Sequence, residues 1–242
     1  MDGRTAVITG GSRGIGLAVA RGLGALGATV VLVGHDPQRA ATSAQLLQDE
    51  GVDAVGFGVD VSDGAAMDAL ALSMGPLAAA DILVISAGVM SAKMSKTLRT
   101  ETAEWDRVMG VNLNGAFHAM RVFVPGMVER RFGRVIAVSA CLGRFSGPGT
   151  NGGLAPYRVS KAALNALTKN LAAEMMLGKR GVLVDAMCPN HCRTDMGGPD
   201  ALRSAEEGAE TILWLATRET HAADGSLVPT GLLWEDRQIV PW

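Results

Sequence analysis

A chain of 242 residues that is 48% hydrophobic and 19% charged has material for one well-buried core and too little charge for a disordered segment. Its net charge of −2 gives no electrostatic basis for binding nucleic acid or an anionic membrane, and no apolar run nears the ~18 residues that cross a bilayer. The first strand-like run begins almost at Met1, which leaves no room for a targeting segment, so a cytoplasmic location is expected. Cys141, Cys188 and Cys192 are an odd set without a secretory signal, hence expected as free thiols. Cys188, His191 and Cys192 cluster in sequence, but no complementary Cys/His pair occurs elsewhere and Pro189-Asn190 suggests a turn, so no metal is expected.

In chain order, short β-branched runs alternate with helical stretches, the pattern of a parallel sheet covered on both faces. Strands are predicted at Thr5–Thr9, Thr29–Val33, Val55–Asp60, Ile82–Ser86, Arg134–Ser139 and Val182–Met187. Between the first two, Ile15, Val19, Leu23 and Leu26 repeat at helical spacing. Asp36-Pro37 reads as an N-cap and first helical residue, with Gly51 closing that helix. Ser62 is expected to cap the next helix. A longer helical region runs from about Thr102 to Arg131, with a bend expected at Pro125. Ser204 and Glu207 have capping-box spacing ahead of Ile212, Leu213 and Leu215.

The run TGGSRGIG (Thr9–Gly16) follows the first strand and opens a helix. Its Gly10, Gly14 and Gly16 let backbone N–H groups and the helix N-terminus approach a pyrophosphate; alone, such a run also fits a tight structural turn. Asp60–Val61 and Ala87–Gly88 end the third and fourth strands, where ligands bind in a doubly wound sheet. A carboxylate at Asp60 suits an adenine amino group, and the small Ala87 and Gly88 let the backbone pass close to a ribose; in isolation they also fit a helix-capping acid and an ordinary turn. After the second strand, Val33-Gly34-His35 offers no acid before Asp36, already assigned to capping. Arg13, assisted by His35, is placed to meet a 2′-phosphate, so NADP(H) is expected in preference to NAD(H).

Tyr157 and Lys161 are four residues apart in APYRVSKAALNAL and share a helix face. A free phenol, with pKa near ~10, is a poor acid–base at neutral pH, and a neighbouring ammonium lowers that value, as proton transfer to or from an alcohol or ketone requires. The same spacing occurs on solvated helix faces, but Tyr157 is the chain's only tyrosine and follows the fifth predicted strand.

Six motifs in this order, TGGSRGIG, Asp60–Val61, Ala87–Gly88, VNLNGAF around Asn112, YRVSK, and Pro189 with Thr194, resemble a classical short-chain dehydrogenase/reductase over essentially the whole chain. The last third, with YRVSKAALNAL, RTDMGG, SAEEGAETILWLA and PTGLLWEDRQIVPW, is similar to the carbonyl-reductase-like branch. The resemblance implies an α/β fold: a single Rossmann-type doubly wound parallel sheet, strand order 3-2-1-4-5-6-7, with helices on both faces and residues 1–242 as one domain. It implies that Tyr157 gives a proton to a carbonyl oxygen as hydride arrives from the nicotinamide. Lys161 would lower the tyrosine's pKa and bind the nicotinamide ribose, Asn112 would hold a water in the proton relay, and Thr194, with Pro189, would contact the carboxamide. Gly10, Ser12, Arg13, Gly14, Ile15, Gly16, His35, Asp60, Val61, Ala87 and Gly88 would form the rest of the cofactor site. The implied partner is a small carbonyl or alcohol, and the family implies a homodimer or homotetramer, although related carbonyl reductases include monomers.

The chain departs from the family pattern toward the nicotinamide end. Ile85-Ser86-Ala87-Gly88 stands where Asn-Asn-Ala-Gly is usual, Pro189-Asn190 where Pro-Gly is usual, and Asp185 at a common Asn position. The fifth strand commonly ends Ser-Ser-x-x-Gly, the second serine polarising the carbonyl; here it ends Ser139-Ala140-Cys141-Leu142-Gly143. Strict register puts Ala140 at the polarising position, and a one-residue slip turns a side chain to the other face. A bulge at the strand end would restore Ser139, which is the expectation, with water or a backbone N–H as the alternative. Met90, Met94, Phe145, Met196 and Trp234 are expected to line a mostly apolar substrate pocket. Two other functions stay open: a dinucleotide-binding protein with a sensing or scaffold role, and an epimerase or dehydratase on the same fold.

Overall fold

Burial on both faces explains why the strands read as continuous apolar runs rather than alternating ones. In the computed structural model, which describes residues 1–91 and 96–242, the strands are β1 (Thr5–Thr9), β2 (Thr29–Gly34), β3 (Ala54–Gly58), β4 (Ile82–Ile85), β5 (Gly133–Val138), β6 (Val182–Met187), β7 (Leu233–Glu235) and β8 (Gln238–Val240). They form one sheet in the order β3-β2-β1-β4-β5-β6-β7-β8, parallel throughout except for the antiparallel β7–β8 pair. Alternate residues feed two cores. Val7, Val31, Leu83, Val135 and Val184 pack with α3 (Gly64–Met74), α5 (Gly115–Arg130) and α6 (Ala155–Glu174). Ile8, Leu32, Val84 and Ile136 pack with α1 (Gly14–Ala25), α2 (Pro37–Asp49) and α7 (Ala205–Thr217). No described helix is long and apolar enough to cross a membrane.

Local chemistry fixes most helix ends. Asp36 caps α2 through Gln38 N and Arg39 N, and Ser204 with Glu207 forms the capping box of α7. Helix α3 is capped by Asp63 rather than Ser62; its carboxylate accepts from Ala65 N at 2.9 Å and Ala66 N at 3.1 Å, while Ser62 donates to Asp60. The long helical region is α4 (Thr102–Met109) followed by α5, joined through a π-helical turn at Gly110–Asn114. The break in regular hydrogen bonding therefore lies at Asn112, and α5 continues through Pro125.

Candidate active site

The carboxyl ends of β1 to β6 open on a cavity of about 980 Å³. Gly10, Ser12, Arg13, Gly14, Ile15, His35, Asp60 and Val61 line the part beside β1–β3, Ala87 and Gly88 the middle, and Ser139, Tyr157, Lys161, Pro189 and Thr194 the part beside β5 and β6. Two residues expected in the site stand behind this lining. Gly16 packs on the glycine turn itself: a Cβ there would lie 2.9 Å from the Gly10 carbonyl carbon. Asn112 is buried at the π-helical turn.

The first part is shaped by backbone. Gly10 has φ 68°, and a Cβ on it would lie 2.7 Å from Ala87 N, so the ends of β1 and β4 meet this closely only with glycine there. Helix α1 begins after Arg13, whose extended backbone supplies no side-chain cap. The N-terminal turn that faces the cavity therefore keeps its donors and its positive dipole end for an anionic ligand. Arg13 is exposed and ion-paired with Asp195 on the loop after β6. Arg39, one turn into α2, also lines this part beside His35, and sequence reasoning missed it. Asp60 Oδ1 accepts from Ser62 N at 2.9 Å and Ser62 Oγ at 2.7 Å, which holds its carboxyl below the usual range.

Tyr157 and Lys161 are held at the other part by α6, 6% and 5% exposed. Lys161 Nζ lies 5.9 Å from the Tyr157 ring centre and donates to Val138 O at 2.8 Å. Burial lowers the Lys161 pKa to about 8. Burial, reinforced by the Cys188 and Cys141 sulfurs, raises Tyr157 above the ordinary phenol value. The expectation that the ammonium lowers the phenol's pKa is corrected: desolvation of a nearly enclosed hydroxyl outweighs a cation whose hydrogen bond points at a strand carbonyl. Asn112 accepts from Val89 N at 2.8 Å and donates to Val89 O and Ser160 Oγ, each at 3.0 Å. It thereby fastens the segment after β4 to α6, and a Cβ on Gly88 would lie 3.4 Å from Asn112 Oδ1 and 3.5 Å from Lys161 Nζ.

The carbonyl side differs from expectation. Ala140 has extended backbone (φ −155°, ψ 150°), so alternation runs on through the strand end without a bulge. Ala140 packs in one cluster with Tyr157, whereas Ser139 Oγ donates to Asn165 Oδ1 at 2.5 Å. Asn165 in turn donates to Gly143 O at 3.3 Å. The Ser139 hydroxyl thus borders the cavity with its proton committed to a buried amide, and the bulge that would free it for a carbonyl is not there. Asn165 was legible in principle, since Tyr157, Lys161 and Asn165 recur at four-residue intervals on one helix face.

The other departures sort differently. Asn190 has φ 61°, the left-handed region usually given to glycine, which Asn tolerates better than most residues. Asp185 is off the cavity. Its carboxylate pairs with Arg218 and accepts from Trp234 Nε1 at 3.0 Å and Leu232 N at 3.1 Å, and the Arg218 guanidinium lies 5.1 Å from the ring centres of both Trp214 and Trp234. Of the expected substrate-pocket residues, Met90 and Met196 line the cavity. Phe145 is 82% exposed, Trp234 is enclosed with Asp185, and Met94 lies outside the described residues. Val89, Arg107, Val111 and Leu142 contribute to the wall instead, Arg107 tied to Glu104 and to Met90 O.

The chain is similar in sequence and fold to known proteins. The family model described as short chain dehydrogenase matches residues 4–212. A 3-oxoacyl-[acyl-carrier-protein] reductase of Pseudomonas aeruginosa is 31% identical, over 95% of this chain and 96% of its own. A galactitol 2-dehydrogenase (L-tagatose-forming) of Cereibacter sphaeroides is 37% identical, over 81% and 74% respectively. Among solved structures, a 3-oxoacyl-[acyl-carrier protein] reductase from Brucella melitensis with bound NAD superposes with a TM-score of 0.82 at 31% identity, covering 97% of this chain and 90% of that one. A gluconate 5-dehydrogenase from Burkholderia cenocepacia in complex with NADP and tartrate gives 0.80 at 28% identity, covering 89% and 88%. With the strand order, the uncapped glycine turn and the Tyr157–Lys161 pair on one cavity, these matches make the chain a member of the short-chain dehydrogenase/reductase family of oxidoreductases.

Proposed function

We propose that the chain reduces a ketone or aldehyde with NADP(H), and oxidises the alcohol in the reverse direction, with Tyr157 as proton donor. The observation that carries this reading is a single cavity that joins an uncapped glycine turn to a buried tyrosine–lysine pair. NADP(H) supplies the hydride. Gly10, Ser12, Gly14 and Ile15 would hold its pyrophosphate, with Gly16 letting the turn pack behind them, Asp60 and Val61 its adenine, Ala87, Gly88 and Lys161 its riboses, and Pro189 and Thr194 its carboxamide. His35 and Arg39 line the cavity around the end of β2, where the nearby acid, Asp36, is engaged as a helix cap, and Arg13 lines it from the glycine turn, paired with Asp195. That combination favours a 2′-phosphate over an unmodified ribose.

A phenol holds its proton at neutral pH even when exposed, and burial holds Tyr157 further in that form, so it parts with the proton only as a carbonyl oxygen gains negative charge. Asn112 and Lys161 converge on Gly88, which supports a role for Asn112 in the proton path behind the lysine. With Ser139 bonded to Asn165, polarisation of the carbonyl falls to the Tyr157 hydroxyl, and Ser139 acts as a positioning residue. The relatives are named for a 3-oxoacyl group, position 2 of galactitol and position 5 of gluconate, all ketone or secondary-alcohol chemistry. The Val89, Met90, Val111, Leu142 and Met196 wall suits a substrate of moderate size with apolar surface.

The test is NADPH oxidation across a panel of ketones and aldehydes, with NADH in parallel and Tyr157→Phe as control. Full activity in that variant would overturn the assigned chemistry. A second reading, a dinucleotide-binding protein with a sensing or scaffold role, draws on the committed Ser139 hydroxyl and on Ala140. Tight NADPH binding without turnover of any carbonyl would favour it.

A further inference from the structure

Two thiols beside Tyr157 have no part in the chemistry above. β5 and β6 are parallel neighbours with Val138 opposite Met187, so Cys188, next after β6, and Cys141, three residues past Val138, come to the same end of the sheet. Both line the cavity. Their side chains are close enough for each to shift the other's ionisation, and neither is in a disulfide. Cys188 is 1% exposed, and its sulfur also accepts from Asn190 N at 3.4 Å. Cys141 is only half-buried, so the pair has one accessible member and one enclosed member. The third cysteine is engaged elsewhere: Cys192 Sγ donates to Pro189 O at 3.2 Å and lies against Gly208 of α7.

We propose that Cys141 and Cys188 form a thiol-modification site, at which Cys141 reacts with a small disulfide entering the cavity and Cys188 resolves the adduct into an intramolecular disulfide. Access puts Cys141 first. The electrostatics give the same order: the neighbouring Cys188 thiol lowers the Cys141 pKa, while Cys141 and burial raise that of Cys188. In the first step the Cys141 thiol loses its proton to solvent and its sulfur bonds to one sulfur of R–S–S–R; RS⁻ leaves and is protonated. In the second the Cys188 sulfur gives up its proton and bonds to the Cys141 sulfur, expelling the other RS⁻, which is protonated in turn. Two thiols are oxidised to one disulfide, and one small disulfide is reduced to two RSH. The new bond joins the segments that follow β5 and β6, beside Tyr157.

The experiment treats the whole native protein with 2,2′-dithiodipyridine, follows released pyridinethione, and reads intact mass and cysteine-containing peptides. Wild type is expected to release two equivalents, to lose two hydrogens in mass without retaining an adduct, to yield a Cys141–Cys188 peptide pair, and to revert with dithiothreitol. Cys188→Ser is expected to stop at one equivalent with the adduct on Cys141, Cys141→Ser to lose the rapid phase, and Cys192→Ser to match wild type. Rapid release that survives Cys141→Ser, an adduct that persists on wild-type Cys141, a bridge through Cys192, or three thiols unreactive until denaturation would each overturn the proposal. If Cys188→Ser fails to fold, the wild-type peptide map decides alone. None of these readouts requires turnover, so failure of the carbonyl-reductase reading would show separately.

Discussion

Beside β1 and β2 the cavity is shaped by backbone: Gly10 at φ 68°, the uncapped start of α1, and small residues at the end of β4. Beside β5 and β6 it is shaped by side chains brought from far apart, with Ser139 bonded to Asn165, Asn112 to Val89 and Ser160, and Cys141 beside Cys188. A site built from backbone constrains residue type narrowly, because only glycine or a very small residue fits. A site built from side chains can trade one group for another and keep its shape. The departures at Ala140 and Asn190 fall in the second region, and the one at Ile85-Ser86 lies at the end of β4, where the two regions meet.

The sharpest way to break the comparison is at Tyr157, where the side-chain end has no substitute. Tyr157→Phe is expected to lower kcat by ~10²–10⁴ with little change in the affinity for NADPH, since general acid–base groups contribute on that scale. Equal losses in kcat and cofactor affinity would mean the ring holds the cofactor rather than moving a proton. Next in size is a gain. Ala140→Ser puts a hydroxyl beside Tyr157, at the position where alternation along the strand end directs a side chain. A preorganised oxyanion donor accounts for ~10²–10³ in rate where it is optimally aimed, so a rise in kcat of roughly tenfold is expected here. Ser139→Ala should leave kcat within a few-fold and lower Tm instead, because it strands a buried Asn165 oxygen. The opposite ranking would make Ser139 the polarising group.

The backbone end is probed through the cations at its rim. Arg13→Ala and Arg39→Ala are each expected to weaken NADPH by about tenfold, consistent with ~1.5–3 kcal/mol for a charge-assisted hydrogen bond partly screened by solvent. NADH should be affected little. If both cofactors lose affinity together, these arginines serve the shared pyrophosphate and not a 2′-phosphate.

This division also decided what the sequence disclosed. The glycine turn, the Asp36 cap, the Ser204–Glu207 box and the six central strands depend on local residue type, and their positions hold to within a residue or two. Asp63 displaced Ser62 as the cap of α3 because Ser62 was drawn to Asp60. The β7–β8 hairpin could not be located to its residues: its strands are three residues each, and its turn uses Asp236 and Arg237, at φ 50° and 61°, with no glycine to mark it. Asn165 could be placed on the Tyr157–Lys161 face, but its bond to Ser139 could not. Arg39 and the nearness of Cys141 to Cys188 were hidden because each matters through what the fold brings beside it, and periodicity carries no information about such neighbours.

Lys161 offers the smallest effect and the most direct measure of how dry the β5–β6 end is. Its folded-state pKa of about 8 lies below the ~10.4 of an unfolded lysine. Between those values the unfolded chain binds more protons, so stability rises with pH across that window, and at pH 7 the buried ammonium is a full destabilising term. That term is ~3 kcal/mol at 1.36 kcal/mol per pKa unit, and removing the side chain gives back ~1–2 kcal/mol of it by stranding Val138 O. Lys161→Met is therefore expected to abolish turnover yet raise Tm at pH 7 by roughly 2–6 °C, as a net gain of ~1–2 kcal/mol gives in a chain of this size. The gap should shrink from pH 8 upward, close between about pH 9 and 10, and reverse above that, where the lost bond to Val138 O outweighs what remains of the ammonium term. A Lys161→Met protein less stable than wild type at pH 7 would mean that the folded site favours the ammonium. The lysine would then be a structural strut, and its retention at a cost to stability would no longer point to a role in catalysis.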